Sequence, residues 1–172
     1  TWLRSGEADW RAYFEDYRRF AAHYAALAEL GGADVLSLGG GLLETTRFTV
    51  EGRRGDVNEI EWKRAGWSRV VAAARGEYTG VLTFTAGSAE EAQKIGFWDD
   101  LDAVAIEPRV VPRTLRGRPA ADVETAFAVE LESTWATGLM TARAHGKRLY
   151  VVGASFPGAP EPDGARAGPG SA

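Results

Sequence analysis

Apolar side chains recur every three or four positions through Trp10, Tyr13, Phe14, Tyr17, Phe20, Ala21, Tyr24, Leu27 and Ala28, which is the spacing of a single buried helix face. Ser5 or Asp9 suits the cap, Glu7 suits the positive end of the helix dipole, and Gly31-Gly32 suits the stop, so this stretch is predicted to be one long helix. The run Asp34-Val35-Leu36-Ser37-Leu38 is short and mostly apolar and enters Gly39-Gly40-Gly41. Such a run predicts a buried strand that ends in a loop.

The alternation then repeats. A polar stretch from about Thr45 to Asn58 reads as a surface excursion, and a second helix is predicted from about Glu59 to Glu77 on the face Ile60, Trp62 or Lys63, Trp67, Val70, Val71 and Ala74. Val81 to Thr85 is the next predicted strand, Ala89 to Lys94 a short helix, and Ala103 to Ile106 a third strand. Pro108 and Pro112 make Glu107 to Pro119 a loop. A long helix follows over about Ala121 to Ala144, with Val123, Phe127, Leu131, Trp135 and Leu139 on one side, and Arg148 to Val152 is a fourth strand. Short apolar strands alternating with helices predict an α/β fold with a parallel sheet of right-handed units, either doubly wound or a slice of a barrel. In both, function belongs at the carboxyl ends of the strands.

Composition narrows the chemistry. The 172 residues contain no cysteine, which removes disulfides, thiolate catalysis and Cys-type metal sites together. A net charge of −4 argues against a nucleic-acid partner. The apolar runs are far shorter than the roughly 20 residues that span a bilayer, so no membrane role is expected. His23 and His145 lie on separate helices, which predicts no metal constellation, and no cofactor is expected. Gly39-Gly40-Gly41 is not followed by the Lys-[Ser/Thr] of a phosphate loop. The last 16 residues hold four prolines and four glycines, so 157–172 is expected to be a disordered tail behind a domain of residues 1–156. The compartment is not legible from the sequence.

Particular residues then resemble a known family. WRAYFEDYRRFAAHYAALAELGGADVLSL (10–38), WSRVVAAARGEYTGVLTFT (67–85), FWDDLDAVAI (97–106) and HGKRLYVVGASFP (145–157) look like glycoside hydrolase family 113, whose β-mannanase-like members are (β/α)₈ barrels of a retaining clan. The resemblance implies that the four strands correspond to barrel strands four to seven, a partial or degenerate TIM barrel. A complete barrel usually takes about 250 residues. Retention needs a carboxylic acid to protonate the leaving oxygen and a carboxylate to attack the anomeric carbon. The resemblance matches Gly41 to the acid/base and Gly153 to the nucleophile. It also matches Gly87 and Ser88 to a sugar-lining segment after strand five, and Arg109 to one after strand six.

Scaffold positions are kept while mouth positions differ, which implies a catalytically inactive pseudoenzyme with a glycan-binding or structural role. Its partner would be a polysaccharide or oligosaccharide. The alternative is an active retaining β-glycosidase with relocated carboxylates, Glu44 beyond Gly41 and Glu107 after the third strand. The plainer reading of Glu44 is a solvated loop charge, and of Glu107 an ion pair with an arginine. Arg109, Arg113, Arg116 and Arg118 form a basic loop that reads as an anion contact or as solvated charge. Trp10, Trp62, Trp67 and Trp135 are expected to pack in the core, and Trp98 beneath its strand. The open sheet edges of half a barrel call for a missing barrel half or a homo-oligomer.

Overall fold

The computed structural model describes residues 7–46, 57–108 and 120–153. Helix α1 (Glu7–Leu30) leads to strand β1 (Val35–Gly40) and the single turn α2 (Leu43–Thr46); α3 (Val57–Glu77) leads to β2 (Val81–Ala86) and the short helix α4 (Ala89–Lys94). A 3₁₀ turn at Trp98–Asp100 precedes β3 (Ala103–Ile106), and α5 (Ala120–Ala144) precedes β4 (Arg148–Val151). The strands form one parallel sheet in the order β1-β2-β3-β4, with each strand beside its successor in the chain. This is the predicted α/β architecture: a run of parallel β/α units that makes an unclosed, partial barrel, with β1 and β4 each unpaired on one side among the described residues. The tail 157–172 and the loop holding Arg109, Arg113, Arg116 and Arg118 lie outside the described residues.

Side chains alternate across the sheet. Leu36 and Leu38 on β1, Leu82, Phe84 and Ala86 on β2, and Val104 and Ile106 on β3 pack under the helices. The intervening Ser37, Thr83, Thr85, Ala103 and Ala105 face the concave side. Trp67 of α3 is fully buried at the centre of the core, stacked on Phe97 and edge-on to Phe14, Tyr17 and Phe84. Its indole N–H donates to the Thr45 carbonyl at 2.9 Å, so the buried ring carries no unpaired donor. Trp98 is buried beneath β3, as expected, and donates to the Ala92 carbonyl at 2.8 Å.

Two expectations about helix faces need correction. On α1 only Trp10, Phe14, Ala21 and Ala25 are buried; Phe20, Tyr24 and Leu27 stay about half exposed, because no element among the described residues packs on that flank. On α5 the buried stripe is Thr134, Gly138 and Ala142, while Trp135 is 51% exposed. A β-carbon on Gly138 would lie 2.6 Å from Ile106 Cδ1 and 3.1 Å from Leu149 Cδ1. The helix therefore approaches the sheet on its small residues, and the indole is left outside.

Candidate functional site

The carboxyl ends of the four strands make the mouth of the partial barrel. At β1 the mouth is built from glycine for steric reasons. A β-carbon on Gly39 would overlap the Tyr17 hydroxyl, and one on Gly40 would sit 2.9 Å from the Thr85 carbonyl oxygen. Tyr17 fills this corner and donates to the Leu38 carbonyl at 2.5 Å; burial pushes its phenol up to about 12. The pairing of β1 with β2 slips between Ser37 and Gly40, a bulge that turns the strand end. There Ser37 Oγ donates to the Gly39 carbonyl at 3.0 Å, so Thr85 Oγ1, 2.9 Å from Ser37 Oγ, is the donor of that pair.

Gly41 follows at φ +66°, with nothing within 4 Å of a β-carbon. Glu44, three residues on, is exposed on α2. At the far side Gly153 has φ +49°, and Glu107 Oε1 is 3.9 Å from where its β-carbon would be. The fold thus brings Glu107 beside Gly153, whereas Glu44 points to solvent next to Gly41. Gly87 and Ser88 sit at the end of β2 and are both engaged: Gly87 N–H donates to Glu91 Oε2 at 2.8 Å, and Ser88 Oγ caps α4 by accepting from Glu91 N–H at 3.0 Å. Arg109 lies outside the described residues.

Glu91 is the mouth residue that sequence reasoning missed. It is 3% exposed, and its Oε1 has no hydrogen-bond partner among the described residues. The Ser88-x-x-Glu91 spacing is the signal that marks it, since a Ser and a Glu three apart satisfy the free donors at a helix start.

The opposite, amino-terminal end holds a cleft of about 700 Å³ lined by Glu29, Asp34, Arg75, Thr79, Asp102 and Arg148, among others. Its charges are largely tied down. Arg75 pairs with Asp102 and donates to the Gly80 carbonyl, and Glu29 accepts from Thr79. Burial alone would raise the Asp102 carboxyl, but the Leu82 N–H and Arg75 outweigh it and hold the group below the usual carboxylate range. His145 meets Asp99 at 2.7 Å at the same end, and that bond lowers Asp99. Among the described residues no three His, Asp or Glu side chains are grouped to hold a metal ion, and no helix is long and apolar enough to cross a membrane.

The profile of Glycoside Hydrolase Family 113 matches residues 2–111, well over half of the chain. A β-1,4-mannanase of that family, solved as a complex, superposes with a TM-score of 0.56 at 20% identity, over 86% of this chain and 38% of its own. A β-mannanase from Alicyclobacillus acidocaldarius in complex with ManMIm matches at 23% identity and a TM-score of 0.49, over 83% of this chain and 35% of its own. The chain therefore spans little more than a third of these two mannanases. No curated protein matches the chain.

Proposed function

The chain belongs to glycoside hydrolase family 113, and on that premise we propose that it contacts β-linked glycan at its barrel mouth without hydrolysing it. The observation that carries this reading is the pair Gly41 and Gly153, each in the left-handed backbone region at the end of an outer strand of the sheet. These are the positions that the resemblance matches to the acid/base and the nucleophile. A glycine offers no proton and forms no glycosyl ester. Loss of a positioned general acid alone costs about 10²–10⁴-fold, or roughly 3–5 kcal/mol of barrier, and loss of the nucleophile closes the double-displacement route. What remains at the mouth suits hydroxyl recognition: the Ser37–Thr85 hydroxyl pair and the Ser88 hydroxyl, whose oxygen caps α4, while Arg109 is a sugar contact only by the resemblance.

One observation favours the alternative of a hydrolase with relocated carboxylates, namely the place of Glu107 beside Gly153. Incubation with β-1,4-mannan, mannooligosaccharides and β-glucans, followed by reducing-end release, separates the two readings. The proposed function expects no release, together with saturable binding on a glycan array or by calorimetry. Release that disappears in Glu107→Gln or Glu44→Gln would establish the relocated site. Neither release nor binding would leave a purely structural role.

A further inference from the structure

Strand β1 advances three residues between Ser37 and Gly40, while its neighbour β2 advances two, from Thr83 to Thr85. The extra residue of β1 lies in a bulge, where the ladder no longer fixes the chain. Inside it the Leu38 carbonyl accepts from the Tyr17 hydroxyl at 2.5 Å. Beyond the glycines, the Thr45 carbonyl accepts from the Trp67 indole N–H at 2.9 Å. We infer that Tyr17 and Trp67 form a two-point strap that presets the path of the mouth segment from Gly39 to Glu44, with Tyr17 as a positioning residue that acts through the Leu38 carbonyl.

Three observations carry this. The two donors brace each other: Tyr17 of α1 and Trp67 of α3 meet edge to face with ring centroids 5.4 Å apart, and Trp67 is fully buried. The strap is therefore anchored in the α1–α3 core. The Tyr17 hydroxyl also competes with any side chain at position 39, since a β-carbon there would overlap it. Burial pushes the phenol up to about 12, so the donor is kept through the neutral range. Between the two pins the chain closes on itself, because the Leu42 carbonyl accepts from the Thr45 N–H at 2.8 Å, the Thr46 N–H at 3.1 Å and Thr45 Oγ1 at 2.9 Å.

Every group in the strap belongs to α1, β1, α2 or α3, so it holds whatever pairs with the outer edges of the sheet. Its consequence is preorganisation. The segment that carries Gly41 and Glu44 is ordered by folding of the helix pair, and a ligand meets it already in place. The inference deepens the glycan reading of the mouth and rests on it only for the ligand arm of the test.

The test is native-state backbone order from ¹⁵N relaxation on the full chain, compared with Tyr17→Phe. Gly40, Gly41 and Leu42 should hold the rigid value of about 0.85 in the parent and fall toward about 0.6 in the variant, while β2 and β3 keep theirs. A side chain that only adds stability would leave native-state order unchanged, and that result overturns the strap, as does a parent segment that is already mobile. Gly39→Ala, which must push the hydroxyl aside, should loosen the same three residues, and it decides the matter if Tyr17→Phe does not fold. It should also lower the folding equilibrium constant about tenfold or more in the parent and by clearly less in the Tyr17→Phe background; equal losses would refute the competition for space. A mannooligosaccharide should bind Tyr17→Phe about two- to tenfold more weakly than the parent, the factor by which one lost hydrogen bond depletes the preset form. Equal affinity would overturn the positioning role, whereas a parent that binds no glycan refutes the glycan reading and leaves the order parameters to decide the strap.

Discussion

Gly41 and Gly153 hold their backbones at φ +66° and +49°, where a β-carbon crowds the neighbouring carbonyl whatever the space around it. Alanine at either position should cost about 1 kcal/mol or more, even at Gly41, where nothing lies within 4 Å. Gly76, in α3, is the opposite case: it has equally open space but no positive φ. Gly76→Ala should stabilise by about 0.5–1 kcal/mol through the helix propensity of alanine. Urea midpoints of the three variants test the contrast in sign, and a loss at Gly76 equal to that at Gly41 would refute the backbone account. Asp102 supplies a second test at this scale. Its folded carboxyl is held low, so its contribution is present above the unfolded value near 3.8 and is lost as pH falls through the folded one. Asp102→Asn should be less stable than the parent by about 1 kcal/mol at pH 7, after solvent screening is allowed for. The gap should narrow between about pH 5 and pH 3; denaturation curves that stay parallel over that range would show that the charge of Asp102 is not what stabilises.

At the level of elements, strands and helices were legible because each rule that marks them is local. The helix at Ala89–Lys94 and the strand at Ala103–Ile106 fall where the sequence puts them, bounded by Ser88 as cap and by Pro108. What periodicity could not convey was which side of α5 meets the sheet. Bulk marks Val123, Phe127, Leu131 and Trp135, yet close approach selects Thr134, Gly138 and Ala142, and a small residue carries no apolar signal. The mouth was half legible for a similar reason. Glu107 follows a strand and is found at the mouth, but Glu91 sits in the short helix after Ser88, where only the capping spacing marks it. The need for glycine at 39 and 40 comes from Tyr17 and Thr85, far away in sequence. Gly138 converts this into a prediction. Gly138→Ala should destabilise by about 1–3 kcal/mol through overpacking against Ile106 and Leu149, despite the better helix propensity of alanine. A thermal midpoint that rises instead would mean that α5 shifts freely on β3 and β4.

For the whole molecule, the four strands are legible as a count, but closure is not, because an unpaired edge leaves no pattern of its own in the chain. Leu36, Val151 and Val152 look the same in sequence whether or not a neighbour covers them; the last two are exposed at 40% and 37%. The helix flank on α1 has the same ambiguity, since an aromatic stripe reads as core even where none of the described residues packs on it. Apolar flanks beside strand edges that are unpaired among the described residues would be costly if left to water, so the pattern of bulk along α1 reports a surface to be covered without naming what covers it.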